Sequence, residues 1–205
     1  MCGIAGYFGK NRILEKNILK CIELMRRRGP DASGEFKTTG EINVLLLHSR
    51  LSIIDKTQKS NQPFRDETGN ILSFNGEIYN YLELKKELQN TTNFFTTGDT
   101  EVLFNQIKKK GIDSIKNCEG MWGFAYYCGE KKKLYLSRDR FGEKPLFFYK
   151  NEDGIFFGSE IKFIFALLGR KLTINFNQLK RYLVNGYKSL YKRNETFFEN
   201  LKEIE

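Results

Sequence analysis

The chain has 205 residues, which is enough for one large domain or two small ones. Its composition, 40% hydrophobic and 14% aromatic with only 3 prolines, supplies a real core, and its apolar runs are too short to span a bilayer. The net charge of +9 comes with no helix-turn-helix, RRM or zinc-finger pattern, so we interpret it as a solvated basic face and expect no nucleic-acid or membrane partner.

The secondary structure predicted from the sequence alternates between strands and blocks of helices. A glycine-punctuated apolar stretch predicts a buried strand at 2–8, and helical spacing predicts a helix at 14–27, followed by a loop at 26–34. The remaining elements, in order, are strands at 42–54 and 71–74, helices at 79–90 and 100–110, a hairpin of 121–128 and 133–138, strands at 145–150 and 154–158, and helices at 159–168 and 176–184. This order predicts an α+β domain of packed layers.

Cysteine and histidine usage narrows the class of site. The four cysteines, at positions 2, 21, 118 and 128, show no CxxC pairing, which favours reduced thiols in the cytoplasm over a disulfide framework or a zinc centre. The last three are most simply core residues. No secretory signal is recognisable at the start, and His48 is the only histidine. We therefore expect a cytoplasmic protein with no metal and no cofactor in this part of the chain.

Cys2 directly follows Met1. Removal of Met1 would leave a thiol and a free α-amine on the same residue. The thiol titrates near 8.5 and the amine at about 7.7–8.0, so the neutral amine can act as base for the thiol. This is the N-terminal form of an activated nucleophile. The alternative is that Cys2 is a small buried hydrophobic residue.

Arg50 interrupts an otherwise apolar predicted strand. A buried guanidinium needs a partner, and its planar fork suits a bound carboxylate. The alternative is a structural ion pair with Asp55 or another acid.

Two further polar stretches have a structural and a functional interpretation. The pair Asn75-Gly76 is typical of a turn, but an asparagine amide beside a glycine N–H can also stabilise an oxyanion. Asp99 or Thr100 could cap the following helix, whereas a functional aspartate at this place could bind a substrate ammonium.

Together, these stretches form part of an ordered set of motifs. The set comprises Met1–Tyr7 (MCGIAGY), Arg27–Gly34 (RRGPDASG), Arg50–Asp55 (RLSIID), Asn75–Asn80 (NGEIYN), Gly98–Glu101 (GDTE), Glu119–Ala125 (EGMWGFA) and Arg138–Pro145 (RDRFGEKP). In this order it resembles the glutamine-hydrolysing domain of the asparagine synthetases, which are class II glutamine amidotransferases with an N-terminal nucleophile. The resemblance covers essentially the whole chain and implies a four-layer αββα sandwich.

The resemblance also implies roles for individual residues. Cys2 matches the nucleophile, and Asn75 and Gly76 match the oxyanion hole. Residues matching the glutamine-binding pocket are Arg50 for the α-carboxylate, Glu77 and Asp99 for the α-ammonium, and Leu51, Ser52, Ile53 and Ile54 for the wall. A zwitterionic substrate needs a fixed cation and a fixed anion, which these residues supply.

The organisation implied is a glutaminase domain at 1–190 and, at 191–205, the start of a connection to a synthetase domain. No Ser-Gly-Gly-x-Asp-Ser pyrophosphate loop occurs in the chain, so ATP and Mg²⁺ are expected only in the synthetase domain. The implied partners are L-glutamine and a synthetase domain that uses the ammonia to amidate aspartate; an oligomer is possible. Two alternatives remain: an amidotransferase acting on another carboxylate such as a sugar acid, or a non-catalytic glutamine-binding module if Met1 is retained.

Overall fold

The computed structural model describes residues 1–187 and 194–205. Its strands are β1 (Gly3–Gly9), β2 (Ala32–Thr38), β3 (Asn43–Arg50), β4 (Phe64–Arg65), β5 (Ile71–Ile78), β6 (Gly120–Cys128), β7 (Lys133–Arg138), β8 (Phe147–Lys150), β9 (Gly154–Gly158) and β10 (Leu201–Glu203). Its α-helices are α1 (Glu15–Met25), α2 (Tyr81–Leu88), α3 (Asp99–Lys110), α4 (Ile161–Leu168) and α5 (Phe176–Asn185).

The strands form two antiparallel sheets. The larger has the order β10-β8-β9-β1-β3-β2, and the smaller has the order β4-β5-β6-β7. In the larger sheet β1 pairs with β3 on one side and β9 on the other, so the N-terminal strand lies in the interior of the sheet. β3 is buried along its whole length and ends at Arg50, four residues before the end of the strand predicted at 42–54.

Three hydrophobic clusters separate four layers. One cluster lies between α1 and α4 and the outer face of the larger sheet, and includes Ile18, Phe163 and Leu47. Another lies between α2 and α3 and the smaller sheet. The third lies between the sheets, where Leu46 and Phe157 meet residues of β5 and β6. Helices thus cover the outer face of each sheet, because each sheet buries apolar side chains on both of its faces.

The structure differs from the sequence prediction at the Asn75-Gly76 pair. The predicted strand at 71–74 does not end there. β5 continues to Ile78, and residues 71–78 pair in unbroken register with β6. Cross-strand pairing therefore overrides the turn preference of Asn-Gly, and Gly76 adopts extended backbone instead of the positive φ of a turn.

Three strands escaped prediction. β2 begins at Ala32, inside the predicted loop at 26–34, and alternates between half-buried and exposed residues. β4 has only two residues. β10 lies within the segment that the sequence assigns to a connection, yet it pairs with β8, and Leu201 is buried in the same cluster as α1 and α4. The predicted boundary between residues 190 and 191 lies outside the described residues.

Candidate active site

The register of the larger sheet places Cys2 beside the end of β3. Gly3 lies opposite Ser49 in the antiparallel pair of β1 and β3, so the chain one residue earlier meets Arg50 and Leu51. The N–H of Leu51 donates to Cys2 Sγ at 3.4 Å, and the thiol donates to the Leu51 carbonyl at 3.6 Å. The sulfur is thereby fixed against the backbone that follows β3.

The environment of Cys2 keeps its thiol protonated in the resting protein. Burial raises the pKa of the thiol above its usual value, and the hydrogen bond from Leu51 and the charge of Arg50 offset only part of that rise. On the other side, Arg28 Nε donates to the Cys2 carbonyl at 2.9 Å and pairs through Nη1 with Glu160 at 3.0 Å. A buried protonated thiol needs a base before it can attack a substrate.

Asn75 faces the same cleft from β5 in the smaller sheet. Its side chain is 1% exposed, and its Nδ2 has no hydrogen-bond partner among the described residues. A buried amide donor left unsatisfied costs about 1–3 kcal/mol. The cost is notable because Gln62, a nearby buried amide, is fully engaged with the backbone N–H and carbonyl of Phe74.

The N–H of Gly76 points to the same side of β5. Only residues 71 and 72 pair with β4, so β5 has an open edge from residue 73 onward. On that edge Phe74 N–H donates to Gln62 Oε1 at 2.7 Å and Ile78 N–H donates to Asp99 Oδ2 at 2.9 Å. Backbone groups alternate with a period of two along a strand, so the Gly76 N–H projects between these two bonds.

Gly76 has no room for a side chain. A Cβ at this position would lie 2.1 Å from the Met121 carbonyl oxygen and 2.7 Å from Trp122 Cα. Glycine is needed here for the close approach of β5 and β6, in contrast to the positive φ that the turn interpretation required.

Arg50 is enclosed by the loop that follows it. Its guanidinium donates to the Thr57 carbonyl at 2.8 Å, to Asn61 Oδ1 at 2.9 Å and to the Asp55 carbonyl. The alternative of an ion pair with Asp55 is wrong, because the Asp55 carboxylate accepts from Thr57 and Thr97 instead. The side chain is 7% exposed, and in the described chain no carboxylate pairs with it. Its positive charge is solvated by carbonyl dipoles and remains able to attract an anion.

Asp99 does not cap α3, contrary to the structural interpretation of the sequence. The N-cap position is Gly98, and Asp99 Oδ2 accepts the N–H of Ile78. Burial raises the pKa of Asp99 to about 6, helped by the nearby charge of Glu77 and opposed by the Ile78 bond. Two carboxylates therefore face the cleft near the Gly76 N–H.

One cleft collects almost all the predicted site residues. We call it the Cys2 cleft; its walls include Cys2, Arg50, Leu51, Ile53, Ile54, Asn75, Gly76, Glu77 and Asp99. Ser52 is the exception. It lies off the wall, and its N–H donates to Asp31 Oδ2 at 2.7 Å.

The cleft also contains residues that the sequence did not single out. Gln62, Phe74, Ser60 and Lys144 line it, together with Met1. Lys144 belongs to the Arg138–Pro145 motif, which could have suggested it, whereas no sequence pattern marks Gln62. His48 lies behind the wall, where Nε2 contacts the Phe74 carbonyl at 3.0 Å and burial lowers its pKa to about 4.

Two other kinds of site are absent from residues 1–187 and 194–205. In these ranges no cluster of three or more histidine, cysteine, aspartate or glutamate residues is suited to hold a metal ion. No helix there has the length and apolar character needed to cross a membrane. The four cysteines are free thiols, with Cys21 and Cys118 buried as core residues.

Comparison with known proteins agrees with the geometry. The sequence profile of the glutamine amidotransferase domain matches residues 1–205. Asparagine synthetase (glutamine-hydrolysing) 2 of Bacillus subtilis is 34% identical over 213 residues, covering 100% of this chain and 28% of the relative. Asparagine synthetase B (glutamine-hydrolysing) of Escherichia coli is 36% identical over 166 residues, covering 79% of this chain and 29% of the relative. The chain thus spans less than a third of either protein.

Among solved structures, glutamine phosphoribosylpyrophosphate amidotransferase from B. subtilis has a similar fold. The TM-score is 0.65 at 20% identity, and the match covers 82% of this chain and 44% of that one. This likeness confirms the predicted α+β sandwich fold. The profile match over its whole length shows that this chain belongs to the glutamine amidotransferase domain family.

Proposed function

We propose that this domain hydrolyses the side-chain amide of L-glutamine through a thioester on Cys2. The observation that carries the proposal is the Cys2 cleft itself. The Cys2 thiol, the Asn75 amide and the Gly76 N–H line the same cleft, and the Asn75 donor has no partner among the described residues. The Arg50 guanidinium and the carboxylates of Glu77 and Asp99 surround them.

The first half of the reaction forms the thioester. With Met1 removed, the neutral α-amine of Cys2 takes the thiol proton as the sulfur attacks the amide carbon of glutamine. The carbonyl oxygen becomes an oxyanion, for which Asn75 Nδ2 and the Gly76 N–H are the donors. The intermediate then collapses: the C–N bond breaks, the ammonium on Cys2 returns its proton to the leaving nitrogen, and ammonia departs.

The second half hydrolyses the thioester. The amine, now neutral again, takes a proton from water as the water oxygen attacks the thioester carbon. The same two donors stabilise the second oxyanion. Breaking the C–S bond releases glutamate and returns the proton to the sulfur, so the enzyme is regenerated with no external reactant besides water.

The charged residues account for selection of a free amino acid. Arg50 would hold the α-carboxylate, and Glu77 and Asp99 the α-ammonium, while Leu51, Ile53 and Ile54 line the pocket between them. Ser52 contributes only through the loop that it shares with these residues. Fixed charges at one end orient the amide at the other toward the sulfur, which converts binding into correct placement of the reacting atoms.

We further propose that the ammonia passes to an ATP-dependent synthetase domain that amidates aspartate. The support is the similarity to two glutamine-hydrolysing asparagine synthetases, of which this chain spans the smaller part. The ATP and Mg²⁺ sites would lie in that domain. A different carboxylate acceptor remains the alternative, since the acceptor site is not formed by these residues.

A non-catalytic glutamine-binding module is the competing function, and one observation bears on it. Met1 lines the cleft beside Cys2. While Met1 is present, the α-amine belongs to the wrong residue and the thiol lacks its base.

The test measures glutamate release from glutamine by protein whose N-terminus has been determined by mass spectrometry. Protein starting at Cys2 should be active, and Cys2→Ala should lose activity by several orders of magnitude, as removal of a nucleophile does in other enzymes. The matched control is Cys128→Ala, which removes a half-buried thiol from the far end of β6. Equal rates for Cys2→Ala and Cys128→Ala would refute the proposal.

A further inference from the structure

The Arg138–Pro145 motif has no role in the mechanism above, yet the structure directs one of its side chains into the Cys2 cleft. Lys144 is only 8% exposed and lines the cleft wall. Its Nζ donates to the Met1 thioether at 3.7 Å. Thioethers are weak acceptors, and in the described chain no carboxylate forms an ion pair with Lys144. A buried ammonium with so little compensation is costly to maintain.

The loop that carries Lys144 is held rigidly. The Asp139 carboxylate accepts the N–H groups of Trp122, Phe141, Glu143 and Lys144 at 2.9 to 3.2 Å. Arg138 Nε also donates to the Lys144 carbonyl at 2.9 Å. These bonds hold the pKa of Asp139 below its usual value despite its burial, so the carboxylate stays charged and the loop stays closed. The position of the Lys144 backbone is therefore fixed relative to β6.

The ammonium of Lys144 lies close to the future N-terminus. Met1 Sδ is five covalent bonds from the Cys2 nitrogen, which places the Lys144 Nζ within about 10 Å of that nitrogen. Loss of Met1 would also remove the sulfur that Lys144 contacts. A cation at this distance opposes protonation of an amine, and inside a protein the effect can amount to about one pH unit.

We propose that Lys144 is a positioning residue that keeps the Cys2 α-amine in its neutral, base-competent form once Met1 has been removed. This inference rests on the proposed function for its biological meaning. The charged groups that face Cys2 or line its cleft are Arg28, Arg50, Asp55, Glu77, Asp99, Lys144 and Glu160.

These groups differ in what they can do to the amine. Arg28 pairs with Glu160, which Lys162 also contacts, and Arg50 donates to carbonyl oxygens while its charge still acts on Cys2. Glu77 and Asp99 favour the protonated amine. Arg28, Arg50 and Lys144 oppose them, and of these three cations Lys144 alone donates to no oxygen atom in the described chain.

The experiment measures the amine directly. Protein starting at Cys2 is labelled with [¹³C]cysteine, and the Cys2 signal is identified by its loss in Cys2→Ala. Its chemical shift is titrated with pH in the absence of glutamine. Lys144→Met, and Lys144→Gln as a second neutral variant, should raise the midpoint of the amine by about one pH unit. Lys144→Arg should leave it near wild type, and the surface variant Lys20→Met controls for the loss of one charge.

A second readout is the pH dependence of kcat/KM for glutamate release. Its acid limb should move upward in Lys144→Met by the same amount, with kcat recovering at high pH, because the amine regains its neutral form there. An unshifted midpoint in both neutral variants would overturn the inference and leave the glutaminase proposal intact. A shifted midpoint in a protein that releases no glutamate would support the inference about Lys144 and overturn the glutaminase proposal.

Discussion

Replacing Asn75 should separate its effect on the stability of the protein from its effect on the rate of glutamine hydrolysis. In the resting protein Asn75 Nδ2 is buried and makes no hydrogen bond among the described residues, so removing it takes away no stabilising contact. In the reaction it is a proposed donor to the oxyanion. Asn75→Ala should therefore reduce kcat by about 10²–10³-fold, equivalent to roughly 2.7–4 kcal/mol of transition-state stabilisation.

The effect on stability should be opposite to that of an ordinary buried asparagine. Truncation leaves a small void, which is destabilising, but it also relieves a desolvation cost of about 1–3 kcal/mol. The two contributions nearly cancel. Asn70 is the matched control: it is 8% exposed, its Nδ2 donates to Thr68 Oγ1 at 2.9 Å, and its Oδ1 accepts the N–H of Gly129 at 3.2 Å. Asn70→Ala loses these bonds as well as volume, so it should be less stable than Asn75→Ala while keeping wild-type kcat.

The assays are steady-state glutamate release and urea unfolding of both variants and the wild type. The reasoning fails if Asn75→Ala keeps a kcat within a few-fold of wild type, because the amide would then not be an oxyanion donor. It also fails if the two variants lose equal stability, because Asn75 Nδ2 would then have a partner in the folded protein.

Three further predictions concern charge. Arg50→Lys should lower kcat/KM for glutamine by about 30-fold to several thousand-fold, mainly through KM, since breaking a buried charge contact costs roughly 2–5 kcal/mol. The control is Arg140→Lys, which should match wild type, because the Arg140 guanidinium donates only to the Cys118 and Lys116 carbonyls in the described chain. The affinity for glutamine should be full above pH 6 and fall as the pH decreases through 6, because the raised pKa of Asp99 lies at about 6 and only its ionised form binds an ammonium. Calorimetric titration of Asp99→Asn should show weak binding that does not depend on pH. A wild-type affinity that stays constant from pH 5 to 7 would contradict this prediction. Burial lowers the pKa of His48 to about 4. The stability that the neutral imidazole contributes is therefore complete above its unfolded pKa and is lost as the pH falls from 6.5 to 4, by at most about 3 kcal/mol. Urea unfolding of His48→Gln should show a smaller loss of stability over this pH range than the wild type, and equal losses would assign the effect to other groups.

The sequence predicted those elements whose local pattern agrees with their tertiary role. β1 and β6 are apolar runs that are buried on both faces over most of their length, and Gly129 and Gly111 mark the turn after β6 and the end of α3. β2 and β10 are edge strands that bury little, so their composition carries almost no strand signal. β10 pairs with β8, which is distant in the chain, and single-sequence patterns do not encode such a pairing. β2 pairs with the next strand, β3, and was missed because its composition is mostly polar.

The site shows the same division. The motifs identified Cys2, Arg50 and Asn75, because each places an unusual residue type at a conspicuous point. What the motifs could not predict is direction. The Gly76 N–H projects from an open strand edge because β4 is only two residues long. Arg50 contacts backbone carbonyls instead of the Asp55 carboxylate because of the path of the loop after β3. Ser52 was placed on the pocket wall by its neighbours in sequence, but the loop turns it toward Asp31.

The costs concentrated in this cleft point to a single compensating ligand. Three features of the cleft reduce the stability of the free protein. They are the unsatisfied amide of Asn75, the Arg50 cation without a carboxylate partner in the described chain, and Asp99 with its raised pKa. Glutamine carries one group suited to each: a carbonyl oxygen, a carboxylate and an ammonium. In the proposed binding mode the carbonyl would accept more strongly as it becomes an oxyanion, whereas the two charged contacts would already be complete in the bound substrate. Arg50 and Asp99 should therefore govern affinity, and Asn75 should govern the rate, which is the differential binding that an enzyme needs to raise kcat.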